Sequence, residues 1–296
     1  MSIVPKELPL FGFLNIYKPE GMTSHDVVAR LRRVTKIKQI GHTGTLDPFA
    51  TGVLPVCIGK ATRLIEYLED DKEYIATVQF GAETDTYDCD GQIVKTYKKT
   101  AKEDEILSVL KIFKGEIEQY PPIYSAIKVK GKKLYEYARQ GQNVEINPRK
   151  VVISRIELLD FDEEKQSAKI IVGCSKGTYI RSIAHDLGQN LGCGGYLTAL
   201  ERTKAGIFNV ENSVNLEELE DINDVCNNLI NPLDVLNLPV YNLNDIEKER
   251  VSHGMPLANN KFENLHVVIL VYGGRIYAIG IIKDNQILVK KVFEVL

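Results

Sequence analysis

No apolar run in this chain of 296 residues reaches the length of a membrane span, and Met1 to Phe13 are expected to be neither an anchor nor a signal peptide. Cysteines are few and scattered. The five of them (Cys57, Cys89, Cys174, Cys193 and Cys226) include no C-x-x-C pair. That argues against a disulfide framework and a zinc site, and it suits a reducing cytoplasm. The chain has no internal repeat and no low-complexity tract. Its glycine-threonine loop near residue 44 lacks the G-K-[ST] ending, and with it the lysine a phosphate-cradling loop needs. His42 has no second His, Cys or carboxylate at ligand spacing nearby, so neither a metal nor an organic cofactor is expected.

What is present is an ordinary globular composition, 44% apolar and 26% charged, in a chain long enough for one large domain and a small one. The net charge of −3 alone speaks against a nucleic-acid partner, but its distribution along the chain points the other way. Residues 211–249 hold ten acids against Lys248, a net of −9, so the other 257 residues carry +6. Bases cluster at Arg30, Arg32, Arg33, Lys36 and Lys38, and again at Lys128, Lys130, Lys132 and Lys133. A positive face that tracks a phosphate backbone is expected, with Arg30, Arg33 and the four lysines as RNA contacts.

Periodicity sets out the elements. Thr23 to Asp26 reads as a capped start of a helix running to about Thr35, with Val27, Val28, Leu31 and Val34 as its buried stripe. Tyr74, Ala76, Val78 and Phe80 share one face of a strand. A helix over Asp104 to Phe113 is followed by strands at Val151–Phe161 and Ala168–Cys174. A further helix, from Thr178 to Leu191, carries Ile180, Ile183, Ala184, Leu187 and Leu191 on one stripe. Asn231-Pro232 and Leu238-Pro239 read as a junction, and the strands around Gly273-Gly274 read as a hairpin in a small β module. The expected architecture is α+β: a mixed, mostly antiparallel sheet with flanking helices over residues 1–238, then a small β-barrel over 239–296.

The run Gly41-His42-Thr43-Gly44-Thr45-Leu46-Asp47-Pro48 places one carboxylate at the end of a loop of small residues. Its acid follows the threonines, unlike the Asp-Lys-Thr-Gly-Thr of phosphoaspartyl enzymes, and by itself Asp47 reads rather as a turn-capping aspartate before proline. With its continuation Phe49 to Pro55, however, the run closely resembles the central signature of the bacterial tRNA pseudouridine synthase B family. Four more blocks resemble that family in order and spacing. They begin at Tyr17-Lys18-Pro19, at Lys72-Glu73-Tyr74 with Gly81 to Thr86, at Gln119 to Arg139, and at Cys174 to Gly188 with Leu197 to Leu200.

The resemblance implies the pseudouridine synthase fold with an RNA-clamping insertion at about 120–150, and a PUA-like end module that fits more loosely. It implies an isomerase acting on the T-loop uridine of tRNA, position 55 in tRNA convention, as a monomer. Asp47 matches the family's catalytic acid, Tyr74 its active-site tyrosine and Arg181 the guanidinium that offsets desolvation of the acid. Tyr179 and Leu200 match positions against the substrate nucleoside. His42, next to Asp47, is expected to stack in the gap that an extruded nucleotide leaves. Two other readings of the residues stay open. One is a non-catalytic RNA-binding or tRNA-folding protein. The other is a hydrolase or phosphotransferase, which would draw a metal-binding cluster from Asp85, Asp88 and Asp90.

Overall fold

The computed structural model describes residues 10–293 apart from Ala126, Lys130, Asn143, Asn260 and 263–265. Strand β1 (Gly12–Lys18) leads through helix α1 (Ser24–Thr35) and the short β2 (Ile40–His42) to β3 (Thr51–Ile58) and β4 (Lys72–Phe80). A ribbon of β5 (Ala82–Thr84) and β6 (Ile93–Thr96), then α2 (Glu103–Leu110), precede β7 (Gly115–Gln119). The hairpin β8 (Lys128–Val129) and β9 (Lys132–Lys133) runs into α3 (Leu134–Arg139). Next come β10 (Arg149–Asp162), β11 (Ser167–Cys174), α4 (Ile180–Leu191) and β12 (Gly195–Ala205). Short pieces follow: β13 (Phe208–Asn209), β14 (Val214–Asn215), α5 (Ile222–Asn227) and α6 (Pro232–Val235). The chain closes with β15 (Val240–Asn242), α7 (Asp245–Ser252), β16 (Leu257–Ala258), β17 (Val267–Tyr272), β18 (Arg275–Lys283) and β19 (Gln286–Val292).

Ten strands make the main sheet, in the order β14-β1-β3-β12-β4-β11-β10-β7, with β2 on β3 and β13 on β12. Its pairings are antiparallel except β1 with β14 and β3 with β12. The sheet carries apolar layers on both faces because β1 and β3 alternate. Leu14, Ile16, Leu54 and Val56 join the layer under α1 and α4, whereas Phe13, Val53 and Cys57 join the layer behind. As the alternation predicts, Tyr74, Ala76, Val78 and Phe80 are all buried on the helix side, against the stripe of α4. The terminal module is a five-stranded sheet in the order β15-β17-β18-β19-β16. It is open rather than a closed barrel among the described residues. Its Ile269, Val271, Ile276, Ile279 and Phe293 complete the rear layer.

Several boundaries differ from the periodic reading for local reasons. Helix α4 begins at Ile180, not Thr178, because Gly177 has φ +87° and Tyr179 is held extended. The side chain of Gln119 clamps Tyr179 there, accepting from its N–H at 2.8 Å and donating to its carbonyl at 3.0 Å. The 104–113 helix tightens after Leu110 into a 3₁₀ turn over Lys111–Phe113. Helix α1 starts as expected, with a full capping box between Thr23 and Asp26, though Val34 is only half-buried.

Two glycines let the sheet close around the site. A Cβ on Gly52, at φ +98°, would lie 2.3 Å from the carbonyl oxygen of Arg202, so only glycine permits β3 to approach β12 this closely. A Cβ on Gly188 would lie 2.2 Å from the backbone of Gly194, so α4 can rest directly on the start of β12. Among the described residues no helix is long and apolar enough to cross a membrane.

Candidate active site

Asp47 sits in the loop between β2 and β3, and that loop is pinned from three directions. Ser24, at the start of α1, accepts from the Leu46 N–H at 2.9 Å and donates to its carbonyl at 3.2 Å. The Gly21 N–H donates to the Pro48 carbonyl at 2.9 Å. Lys18, fully buried at the end of β1, donates to the carbonyls of Pro19 and Met22 at 2.7 Å and of Pro48 at 3.1 Å. Burial pulls the Lys18 ammonium down to about 8, against the opposing pull of Asp47 and Glu20, so at neutral pH it remains a cation. Lys18→Met leaves these three carbonyls without that donor. Its expected cost is about 2–4 kcal/mol, read as a fall of several degrees in the thermal midpoint. An unchanged midpoint would show that the lysine is not what holds the loop.

Arg181, in the first turn of α4, reaches the acid across the cleft. Its Nη2 donates to Oδ1 of Asp47 at 3.3 Å, and its Nε lies 3.0 Å from Oδ2 without the angle of a hydrogen bond, so one edge of the guanidinium faces the carboxylate. Nη2 also donates to the Tyr124 carbonyl at 3.1 Å, and Nη1 to the Thr86 carbonyl at 3.2 Å. A second acid, Asp88, lies 3.2 Å from Nη1. The arginine side chain is 7% exposed and that of Asp88 5%, whereas Asp47 keeps 33% of its side chain open to the cleft. Of the two acids, Asp47 is therefore the one open to the cleft.

Asp88 is itself built in. The Thr86 hydroxyl donates to its Oδ1 at 2.5 Å and the Asp90 N–H does so at 3.1 Å. Burial pushes its carboxyl up from the usual range, and the Thr86 hydroxyl and the Arg181 guanidinium pull it back. In Asp88→Asn one amide N–H must face either the guanidinium or those two donors. Turnover is expected to fall about 10- to 100-fold, the equivalent of one misplaced charge-assisted hydrogen bond, and the thermal midpoint by several degrees. Wild-type turnover would remove Asp88 from the network.

The cleft has a volume of about 410 Å³. Its walls include Asp47, Arg181, Tyr74, Tyr179 and Leu200, so five residues singled out in the sequence line one cavity. Tyr74 pairs with Arg202 across β4 and β12, and Ala76 pairs with Leu200. Burial pushes the Tyr74 phenol above its ordinary range, and the Arg202 guanidinium beside it pulls it back, so the ring enters the cleft neutral. Tyr135, from α3, closes the outer side.

His42 is not among the cleft-lining residues. It ends β2, opposite Val56, with Nδ1 buried and unpartnered. Burial, together with the charges of Arg202 and His25, draws its imidazole down, so it is neutral at neutral pH. Of the basic residues, Arg30 is half-buried and Arg33 exposed on α1, and Lys128 is exposed. Lys132 and Lys133 lie over the rings of Tyr137 and Tyr135, at 4.5 and 5.4 Å from the centroids. Lys130 lies outside the described residues. Lys18, Asp88 as a partner of Arg181, Arg202 and Lys72 carry parts of this site that the sequence reading did not assign.

The comparisons with known proteins agree with one another. The model of the TruB family pseudouridylate synthase N-terminal domain matches residues 32–180, and that of the tRNA pseudouridylate synthase B C-terminal domain matches 181–237. A tRNA pseudouridine synthase B of Heliobacterium modesticaldum is 48% identical over 252 residues, covering 84% of this chain and 82% of that one. Its counterpart from Clostridium kluyveri is 40% identical over 290 residues, covering 95% of this chain and 99% of its own. Among solved structures, an archaeal box H/ACA sRNP Nop10–Cbf5 complex superposes with a TM-score of 0.69 at 28% identity, over 96% of this chain and 85% of that chain. The family models and the named relatives define the class as pseudouridine synthase, an isomerase. Within that class, the chain belongs to the TruB family of pseudouridylate synthases.

Proposed function

We propose that this chain, acting as a monomer in the cytoplasm, converts the T-loop uridine at position 55 of tRNA to pseudouridine. The C1′–N1 bond breaks, the base turns, and C5 joins C1′. The proton leaving C5 is balanced by one gained at N1, so no oxidant or reductant is needed. The observation that carries this reading is the ion pair of Arg181 with Asp47 in a cleft walled by Tyr74, Tyr179 and Leu200. Asp47 serves the detached group as nucleophile or as counter-charge. Arg181 holds its orientation, and Tyr74 stacks on the base and relays a proton.

A uridine in a folded loop must leave its stack to reach Asp47, and His42, beside the Asp47 loop, fills the space it vacates. Arg30 and Arg33 on α1 and Lys128, Lys130, Lys132 and Lys133 of the insertion bind phosphates, and residues 239–296 act as a PUA-like RNA-binding module. The names of the relatives, tRNA pseudouridine synthase B, support tRNA as the substrate. Mapping pseudouridine in an unmodified tRNA transcript before and after incubation with the purified protein tests the reading. One new pseudouridine at position 55 is expected, and none anywhere would refute it. With four or more phosphate contacts, log Kd should also change with log salt by a slope of about 3 or more. A flat response would exclude a phosphate-tracking surface.

A further inference from the structure

Two of the cleft-lining cations, Arg202 and Lys72, lie together with no ion-pair partner in contact. Arg202 is 1% exposed, yet its guanidinium is only partly satisfied. Nε donates to the Val53 carbonyl at 2.6 Å and Nη2 to the Gly44 carbonyl at 3.1 Å, while Nη1 is buried without a well-formed hydrogen bond and the guanidinium lies beside the Tyr74 phenol. Lys72, at the start of β4, makes one long contact, 3.4 Å to the Asp70 carbonyl. Among the described residues neither charge is in a salt bridge; Asp70, whose carboxylate meets Lys176, pulls on the Lys72 ammonium from farther off. The Arg202 Nη1 and the Lys72 Nζ lie 3.6 and 3.9 Å from the point that a Cβ on Gly44 would occupy. Burial draws the Lys72 ammonium below its ordinary range, and the neighbouring guanidinium adds to the effect. Adjacent buried cations are costly alone, and an anion between them relieves both their repulsion and the unsatisfied N–H.

We propose that Lys72, the free edge of Arg202 and the open space over Gly44 form an anion subsite that takes a phosphodiester group of the RNA next to the displaced uridine. All three residues line the cleft that holds Asp47 and Tyr74, so the subsite opens onto the place of reaction. A nucleotide swung out of its stack carries its own flanking phosphodiesters with it, and these are the anions that must arrive beside the reacting sugar. Holding one fixes the sugar relative to Asp47, which makes Lys72 and Arg202 positioning residues. This assignment rests on the RNA-isomerase reading above.

The test is equilibrium binding and single-turnover rate on T-arm hairpins in which single linkages flanking the target uridine are replaced by neutral methylphosphonate. Wild type is compared with Lys72→Gln and Gly44→Ala. The Gly44 backbone lies outside the left-handed region, and an added methyl would meet its neighbours at 3.5–3.9 Å, so Gly44→Ala folds while filling the subsite. In wild type, one neutral linkage should weaken binding about tenfold, and each variant should weaken binding of the all-phosphate hairpin about as much. In the variants that same neutral linkage should then cost nothing further. Lys72→Gln should also lower the salt slope by about 1. Equal methylphosphonate penalties in wild type and both variants overturn the assignment. So do variants that bind normally and lose turnover alone, a result that places the cations on the base. Wild type that neither binds nor isomerises the all-phosphate hairpin overturns the RNA reading itself.

Discussion

Asp47→Asn is expected to bind a T-arm hairpin within about threefold of wild type and to release no tritium from 5-tritiated uridine, a loss of at least about 10⁴-fold in turnover. The two side chains are nearly the same size, and the loop around position 47 is held by Ser24, Gly21 and Lys18 rather than by the carboxylate. Arg181 also keeps its remaining partners, Asp88 and the carbonyls of Thr86 and Tyr124. The variant therefore loses a reacting group and little of its architecture. Tritium release within tenfold of wild type would take Asp47 out of the chemistry.

Arg181→Lys keeps the charge and should still lose about 10²- to 10³-fold in turnover, with KM changed only a few-fold. One guanidinium contacts two carboxylates and two carbonyls, in fixed directions that a single ammonium on a shorter reach cannot match. The orientation of Asp47 should suffer most, because both of its oxygens face adjacent nitrogens of the fork. A second readout separates this from simple unfolding. Asp88 is nearly sealed from solvent and loses its best partner, so stability should fall by about 2–4 kcal/mol while the protein remains folded at low temperature. Kinetics and stability equal to wild type would show that the pairing does not matter.

The parts of the site that could be read from the chain are those fixed by local pattern. Tyr74 follows from period-two alternation in β4, and Arg181 from its place at the head of an amphipathic helix. The resemblance then gave both a role, along with Asp47, Tyr179 and Leu200, and all five line one cleft. What stayed illegible depends on contacts between distant segments. Asp88 lies in Thr84-Asp85-Thr86-Tyr87-Asp88-Cys89-Asp90-Gly91, which reads as a turn, and nothing local says that an arginine 93 positions later will meet it. Its neighbours Asp85 and Asp90 do not join it in a metal site, and no group of three or more candidate ligands occurs among the described residues.

Lys18 and Arg202 did leave a faint signal. Lys18 falls on the same strand face as Leu14 and Ile16, and Arg202 on the same face as Leu200. A charge at an inward position must find partners, but only the folded chain brings the Pro48 carbonyl to Lys18 and the Val53 and Gly44 carbonyls to Arg202. The junction near residue 238 shows the same limit. Its prolines mark where the chain turns, yet an apolar layer running from Phe13 to Phe293 joins the two sheets across it.

A crystal structure of the Asp47→Asn variant with a uridine-containing T-arm hairpin tests the central claim most directly. The account predicts the target uridine turned out of its stack, its base against Tyr74 and its C1′ in contact with the side chain at position 47. A uridine that stays stacked within its loop, with the cleft beside Arg181 empty, would contradict it.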